Sequence, residues 1–186
     1  MKKVLSFDID QTLNIAKTPI PEEIAFLLSD CLKHFEICPI SGQKFDQFLI
    51  QIVDRLIEVA NVTEEQLSHL HLFVAQGTQY YRYQPTGNGY DAANWQQVYN
   101  YPLTNEQVKK ITEAIESAAK ELNFWEADQL LPGDEIIENR LSQVTFSALG
   151  QKAGTEAKYA WDPDCKKREQ IVALAKKKAP EFEVEI

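Results

Sequence analysis

Near the amino end, the apolar run Val4-Leu5-Ser6-Phe7 passes directly into Asp8-Ile9-Asp10-Gln11-Thr12-Leu13, and no other stretch restricts the fold as strongly. A short, nearly continuous apolar run is the signature of a strand buried in a parallel sheet. In an open α/β sheet, ligands bind beyond the carboxyl ends of the strands, so Asp8 and Asp10 would stand where a substrate arrives. Strand residues alternate faces, but a chain that turns after Asp8 can aim both carboxylates at one point. Two acids so aimed can hold Mg²⁺ through oxygen and share the tasks of nucleophile and proton carrier. Read alone, the pattern also fits a solvated strand end with a capped turn, where Asp and Thr are common.

The following segments alternate helix and strand. Pro19-Ile20-Pro21-Glu22-Glu23 opens a helix, with proline at its start and acids where the helix dipole favours them. Ile24, Leu27, Leu28, Cys31 and Leu32 recur at helical spacing. Phe35 to Ile40 reads as a second strand ending at Ser41-Gly42. A second helix follows, with the stripe Phe45, Phe48, Leu49, Ile52, Val53, Leu56, Ile57 and Ala60. A hydroxyl and backbone N–H groups between strand and helix make a phosphate site, so Ser41 and Gly42 are candidates, with an ordinary helix cap as the alternative. Thr63 to Gln66 predicts a capped helical turn, and Leu70 to Ala75 a third strand ending near Gln76-Gly77. His69 and His71 flank its start and read as strand-edge residues, since no third metal ligand lies nearby.

Beyond residue 77 the alternation stops. Thr78 to Tyr83 and Trp95 to Tyr101 read as strands joined through Pro85-Thr86-Gly87-Asn88-Gly89. Thr104-Asn105-Glu106-Gln107 is a capping box ahead of an amphipathic helix carrying Val108, Ile111, Ile115, Ala118 and Leu122. Val144, Phe146 and Ala148 alternate with polar neighbours, as in a sheet with one wet face. Asp162-Pro163 opens a final helix to about Lys178, before the strand-like Phe182 to Ile186. The expected organisation is an α/β core portion over 1–81 and an α+β unit with antiparallel strands over 82–186.

With 44% hydrophobic and 25% charged residues, the 186-residue chain can bury a substantial core. A net charge of -9 argues against a nucleic-acid backbone or an anionic membrane as the main partner. A phosphorylated substrate would then need local positive charge or a metal. No apolar run approaches the roughly 18 residues of a membrane span. Cys31, Cys38 and Cys165 lack paired-ligand spacing and no signal segment precedes the first strand, which together predict a reduced, cytoplasmic protein.

Asp-x-Asp-x-Thr-Leu after an apolar strand resembles the first motif of the haloacid dehalogenase-like phosphotransferases, and Ser41 stands where that family has its second motif. The run from Glu138 to Gly150, with its Glu-x-Arg start and Ser-x-x-Gly end, is similar to the cap segment of the eukaryotic-type phosphomannomutases. Asp162 with the Lys166-Lys167 helix, and the closing Phe-x-Val run, resemble the same branch. The resemblance implies a Rossmann-like core with an α+β cap containing an antiparallel sheet. It implies Asp8 as the nucleophile forming an aspartyl-phosphate, Asp10 as acid and base, and Mg²⁺ at Asp8 and Asp10. Thr12, Ser41 and Gly42 would bind or orient the phosphoryl group, and Arg140 would grip a remote phosphate of a sugar-phosphate substrate. Members of the branch often dimerise through the cap.

Two departures matter. Gln151 and Lys158 occupy positions where the branch has arginines, and an amide or a point charge lacks arginine's planar fork. The third and fourth motifs, a lysine and further acids, have no counterpart before Ile186, so the chain reads as a fragment or a natural short form. The expectation is therefore a phosphomannomutase-like transfer on a sugar phosphate. Its alternatives are a sugar-phosphate phosphatase of the same superfamily and a non-catalytic sugar-phosphate or protein-binding module. For Arg140 the plainer alternative is a salt bridge to Glu135 or Glu138.

Overall fold

In the computed structural model, which describes residues 3–15 and 18–184, strands β1 (Lys3–Asp8) and β2 (Phe35–Ile40) pair in parallel with Asp8 opposite Ile40. The two chains therefore leave the sheet side by side at Ile9 and Ser41. β3 (His71–Val74) adds in parallel to β2, and β4 (Gln79–Tyr83) and β5 (Trp95–Asn100) add antiparallel, giving the order β1-β2-β3-β4-β5. Helix α1 (Glu22–Leu32) connects β1 to β2. Pro21 is its N-cap and Glu22 and Glu23 fill its first turn. Between β2 and β3 run α2 (Phe45–Phe48), a π-helical turn over Leu49–Val53, α3 (Asp54–Glu58) and α4 (Glu64–Leu67). The expected cap of α4 is present, with Thr63 and Gln66 bonding reciprocally.

These helices bury one face of the sheet. Ala25, Leu28 and Leu32 from α1, and Phe48, Ile52, Val53 and Leu56 from the second helical run, share a core with Ile37, Leu72, Val74 and Tyr83. Phe45 stacks on Tyr81 with ring centroids 4.0 Å apart. Leu27, expected in the α1 stripe, is exposed. β1 also departs from its expected burial. Among the described residues it pairs with β2 alone, so Leu5 and Phe7 are only partly buried against the core and Val4 is 62% exposed.

The chain divides into two compact units, Met1–Tyr101 and Pro102–Ile186. The boundary expected after residue 81 falls inside β4, because the β4–β5 hairpin hydrogen-bonds to β3 and so extends the first unit's sheet. In the second unit, α5 (Asn105–Glu121) begins at the expected capping box of Thr104 and Gln107 and packs with α7 (Lys166–Lys178). Their shared core is Ile115, Ala118, Ala119, Ile171 and Ala175. β6 (Ile137–Asn139) and β7 (Val144–Phe146) form a two-stranded antiparallel sheet, and α6 (Thr155–Trp161) is a helix that the sequence pattern did not mark. Phe182 to Val184 form no strand, and the rest of that expected strand, residues 185–186, lies outside the described residues. Among the described residues no helix is long and apolar enough to cross a membrane.

Candidate active site

Ile9 anchors the loop after β1. Its side chain is fully buried and its carbonyl accepts from the N–H groups of Thr12, Leu13 and Asn14 at 3.2, 2.9 and 3.2 Å. Gln11 turns the chain with φ 63°, a left-handed conformation that an L residue adopts only when its surroundings hold it there. The flanking acids stay accessible: Asp8 is exposed and Asp10 half-buried. The Thr12 hydroxyl donates to Asp8 Oδ2 at 3.5 Å, so the threonine expected to orient the acidic loop does touch the first acid.

The loop after β2 is tied to the end of β3. Ser41 donates its N–H to Phe73 at 3.2 Å and accepts from the Gln76 N–H at 3.0 Å, while the Gln43 carbonyl accepts from Ala75 at 3.1 Å. These bonds hold Ala75, Gln76 and Gly77 in three successive left-handed conformations, with φ 49°, 57° and 80°. Ser41 is buried, and its Oγ accepts from the Gln43 N–H at 3.3 Å across Gly42. The two loops meet through Gln43, whose Nε2 donates to Asp10 Oδ2 at 2.7 Å. Asp8, Asp10, Thr12, Ser41 and Gly42 thus belong to adjoining loops at the carboxyl ends of neighbouring parallel strands.

Sequence reading passed over Gln43 and the residues behind it. Gln51, only 1% exposed, donates from Nε2 to Gln43 Oε1 at 2.7 Å and to Gln47 Oε1 at 3.1 Å. Asn14 donates from Nδ2 to Gln51 Oε1 at 2.9 Å and to the Thr18 carbonyl. The signal was present as glutamines at 43, 47 and 51: Gln47 and Gln51 lie four residues apart on one helical face, and Gln43 just precedes the N-cap Lys44. Only the π-helical turn, which buries Gln51 and leaves its carbonyl to accept from the Ile20 N–H at 2.9 Å, showed that this face turns inward.

His69 and His71 are engaged by Glu36. His71 Nε2 lies 2.9 Å and His69 Nδ1 3.2 Å from its carboxylate, and His71 Nδ1 lies 2.6 Å from the Tyr80 hydroxyl. Burial pushes the Glu36 carboxyl up, but the hydrogen bond from His71 and the charge and hydrogen bond of His69 together hold it below the usual range.

Arg140, Gln151 and Lys158 lie in the second unit, and the structure brings the three together. Arg140 Nη2 donates to Gln151 Oε1 at 3.4 Å, and Lys158 Nζ donates to the Gln151 carbonyl at 3.1 Å. Arg140 also forms the ion pair weighed as its plainer role, with Nε 2.7 Å from Glu138 Oε2 and both side chains largely buried. Gly150, at φ 90°, turns the chain into Gln151, whose N–H donates to Asp134 Oδ1 at 2.9 Å. Burial raises the Asp134 carboxyl, but the N–H groups of Glu135, Lys152 and Gln151 hold it below the usual range.

The donors available to a metal at the β1 end are two carboxylates and main-chain carbonyls. Such hard oxygen donors suit Mg²⁺, which keeps several waters and takes only one or two protein carboxylates. Among the described residues no group of three or more His, Cys, Asp or Glu side chains gathers as a metal cage.

No protein-family model and no curated protein matches the sequence. Solved structures do. An IMP-nucleotidase of Plasmodium falciparum superposes with a TM-score of 0.60 at 13% identity, covering 99% of this chain and 48% of the other. The ATP-bound form of that enzyme gives 0.62 at 12% identity, covering 99% and 42%, and an amino-terminally truncated form with IMP gives 0.57 at 12%. The chain has their fold. An α/β sheet with helices, as expected of the first unit, is observed, while these structures do not single out the phosphomannomutase branch. The chain spans about half the length of the structures that it matches.

Proposed function

We propose that this chain carries the nucleophile and the proton carrier of a Mg²⁺-dependent phosphoryl transfer from a phosphate monoester. The observation that supports it most is the joining of the two loops: Thr12 bonds Asp8, and Gln43, two residues beyond Ser41, bonds Asp10. An Asp8 oxygen attacks phosphorus, the P–O ester bond breaks, and the leaving oxygen takes a proton from Asp10. Asp10 then takes a proton from the incoming water or hydroxyl as the Asp8–phosphorus bond breaks. Ser41 Oγ accepts from the Gln43 N–H and keeps its hydroxyl hydrogen to donate to a phosphoryl oxygen. Mg²⁺, held by the Asp8 carboxylate and the Asp10 main-chain carbonyl, would offset the charge spread over the transferring group.

Hydrolysis and mutase chemistry differ only in the acceptor. A hexose-phosphate mutase with a remote phosphate at Arg140, Gln151 and Lys158 is the finer reading, supported by the Glu138 to Gly150 resemblance and by the meeting of those three residues, Arg140 at the Gln151 side chain and Lys158 at its main-chain carbonyl. Hydrolysis of a nucleoside monophosphate is the second reading, supported by the IMP-nucleotidases of like fold, one of them with IMP bound. A reduced cytoplasmic setting and pairing of two copies through the second unit complete the proposal.

The test is phosphate release and hexose-phosphate isomerisation across hexose phosphates and IMP, with Mg²⁺ and with chelator. Release should depend on Mg²⁺ and vanish in Asp8→Asn at an unchanged melting temperature. Retained release in a folded Asp8→Asn protein overturns the nucleophile assignment.

A further inference from the structure

The amides behind Asp10 have a forced polarity. A main-chain carbonyl can only accept, so the Asn14 amide presents its NH₂ to Thr18 and donates its other hydrogen to Gln51 Oε1. Gln51 must then present its NH₂ to Gln43 Oε1, at 2.7 Å. Gln43 in turn presents its NH₂ to Asp10 Oδ2, at 2.7 Å. Asn14, Gln43 and Gln51 are 6%, 6% and 1% exposed, so solvent cannot reverse any of them cheaply. Asn14 Oδ1 is buried without a protein hydrogen-bond partner, so the Thr18 carbonyl decides the direction against that oxygen's own need.

We infer that Gln43 is a positioning residue that holds the Asp10 carboxyl by Oδ2, and that the buried chain from Asn14 through Gln51 sets the direction of that bond. The inference rests on the reading of Asp10 as proton carrier. The N–H aimed at Oδ2 ties that oxygen and helps to fix the plane of the carboxyl, and so the aim of its acidic hydrogen at the leaving oxygen. Without the Gln43 side chain the carboxyl loses that fixed donor and its aim loosens. The Gln43 side chain acts on the leaving oxygen through Asp10.

The consequence is specific to the leaving group. A nitrophenolate departs with little protonation, whereas a sugar alkoxide needs the acid. Gln43→Met keeps length and shape but removes the donor. Release by Gln43→Met is to be compared on p-nitrophenyl phosphate and on a hexose phosphate, beside Asp8→Asn and the unsubstituted chain. The hexose-phosphate kcat should fall at least about tenfold more than the aryl kcat, with KM changed less than about threefold, because general acid catalysis alone supplies about 100-fold or more. Gln51→Met should shift the same ratio in the same direction. Where Gln43→Met fails to fold, Gln43→Glu, which replaces the donor by an acceptor at constant shape, should give the same ratio. Equal loss on both esters, with Asp8→Asn inactive, overturns the inference and leaves the phosphoryl-transfer reading standing. Release by Asp8→Asn, or none from either ester by the unsubstituted chain, overturns both.

Discussion

Gly150 has little room for change. Its φ of 90° lies where side chains are strained, and a Cβ there would stand 2.1 Å from Asp134 Oδ2 and 2.8 Å from Leu130 Cδ2. Gly150→Ala should therefore destabilise the second unit by about 2 kcal/mol or more, as misplaced Cβ atoms at left-handed positions do, read by chemical denaturation. An unchanged midpoint would mean that the turn carrying Gln151 is not rigid. Arg140 has one task that is observed, its ion pair with Glu138, and one that is proposed, and a single substitution separates them. Arg140→Ala removes the ion-pair partner of Glu138 in a largely buried place, so stability should fall. If Arg140 also grips a remote phosphate, KM should rise for a hexose phosphate and stay nearly constant for p-nitrophenyl phosphate. Equal changes on both esters would make the ion pair its whole role.

Among the elements, α5 was the most legible. Thr104 and Gln107 form their capping box as the local sequence predicted, and the stripe through Ile115 and Ala118 faces the second core. Thr104→Ala should cost about 1 kcal/mol in denaturation of the second unit, because one backbone donor at the helix start loses its acceptor. The helix after Ser41 was legible only in part. Phe48, Ile52, Val53 and Leu56 fall on the core as their spacing required, but the turn Leu49–Val53 is π-helical. A hydrophobic stripe reports a period near 3.6 and carries no sign of one widened turn. Gln51 falls outside that stripe and yet lies inside. The hairpin β4–β5 read as a change of texture and hence as a new unit. Only its hydrogen bonds to β3 make it part of the first sheet.

At the scale of the whole molecule, acid should loosen both units. In the second, burial raises the Asp162 carboxyl, but the Arg168 side chain and the N–H groups of Lys167 and Arg168 hold it below its ordinary value. In the first, His71 and His69 do the same for Glu36. A carboxyl whose folded value is depressed contributes stability that is fully present above its unfolded value and is lost as pH falls through the folded one. Melting temperature should thus fall as pH drops below about 4, the unfolded carboxylate range, and Asp162→Asn should flatten that fall in the second unit while lowering stability at neutral pH. A parallel decline in variant and parent would remove Asp162 from the account.

What the sequence determined by itself was everything that short-range periodicity and local chemistry encode. The strand that ends in two acids, the Ser-Gly exit of the next strand, both capping boxes and the apolar stripes of α1 and α5 all lie within a few residues of their cause. What only the tertiary structure decided were partners distant along the chain. Asp10 meets Gln43 across 33 residues, and Asn14 meets Gln51 across 37. Among the described residues β1 has one neighbour rather than two, and Arg140, Gln151 and Lys158 converge through a turn at Gly150. The reason is physical: a backbone repeat fixes which face a residue takes, whereas which side chain it meets there depends on the packing of separate elements, and no local spacing carries that.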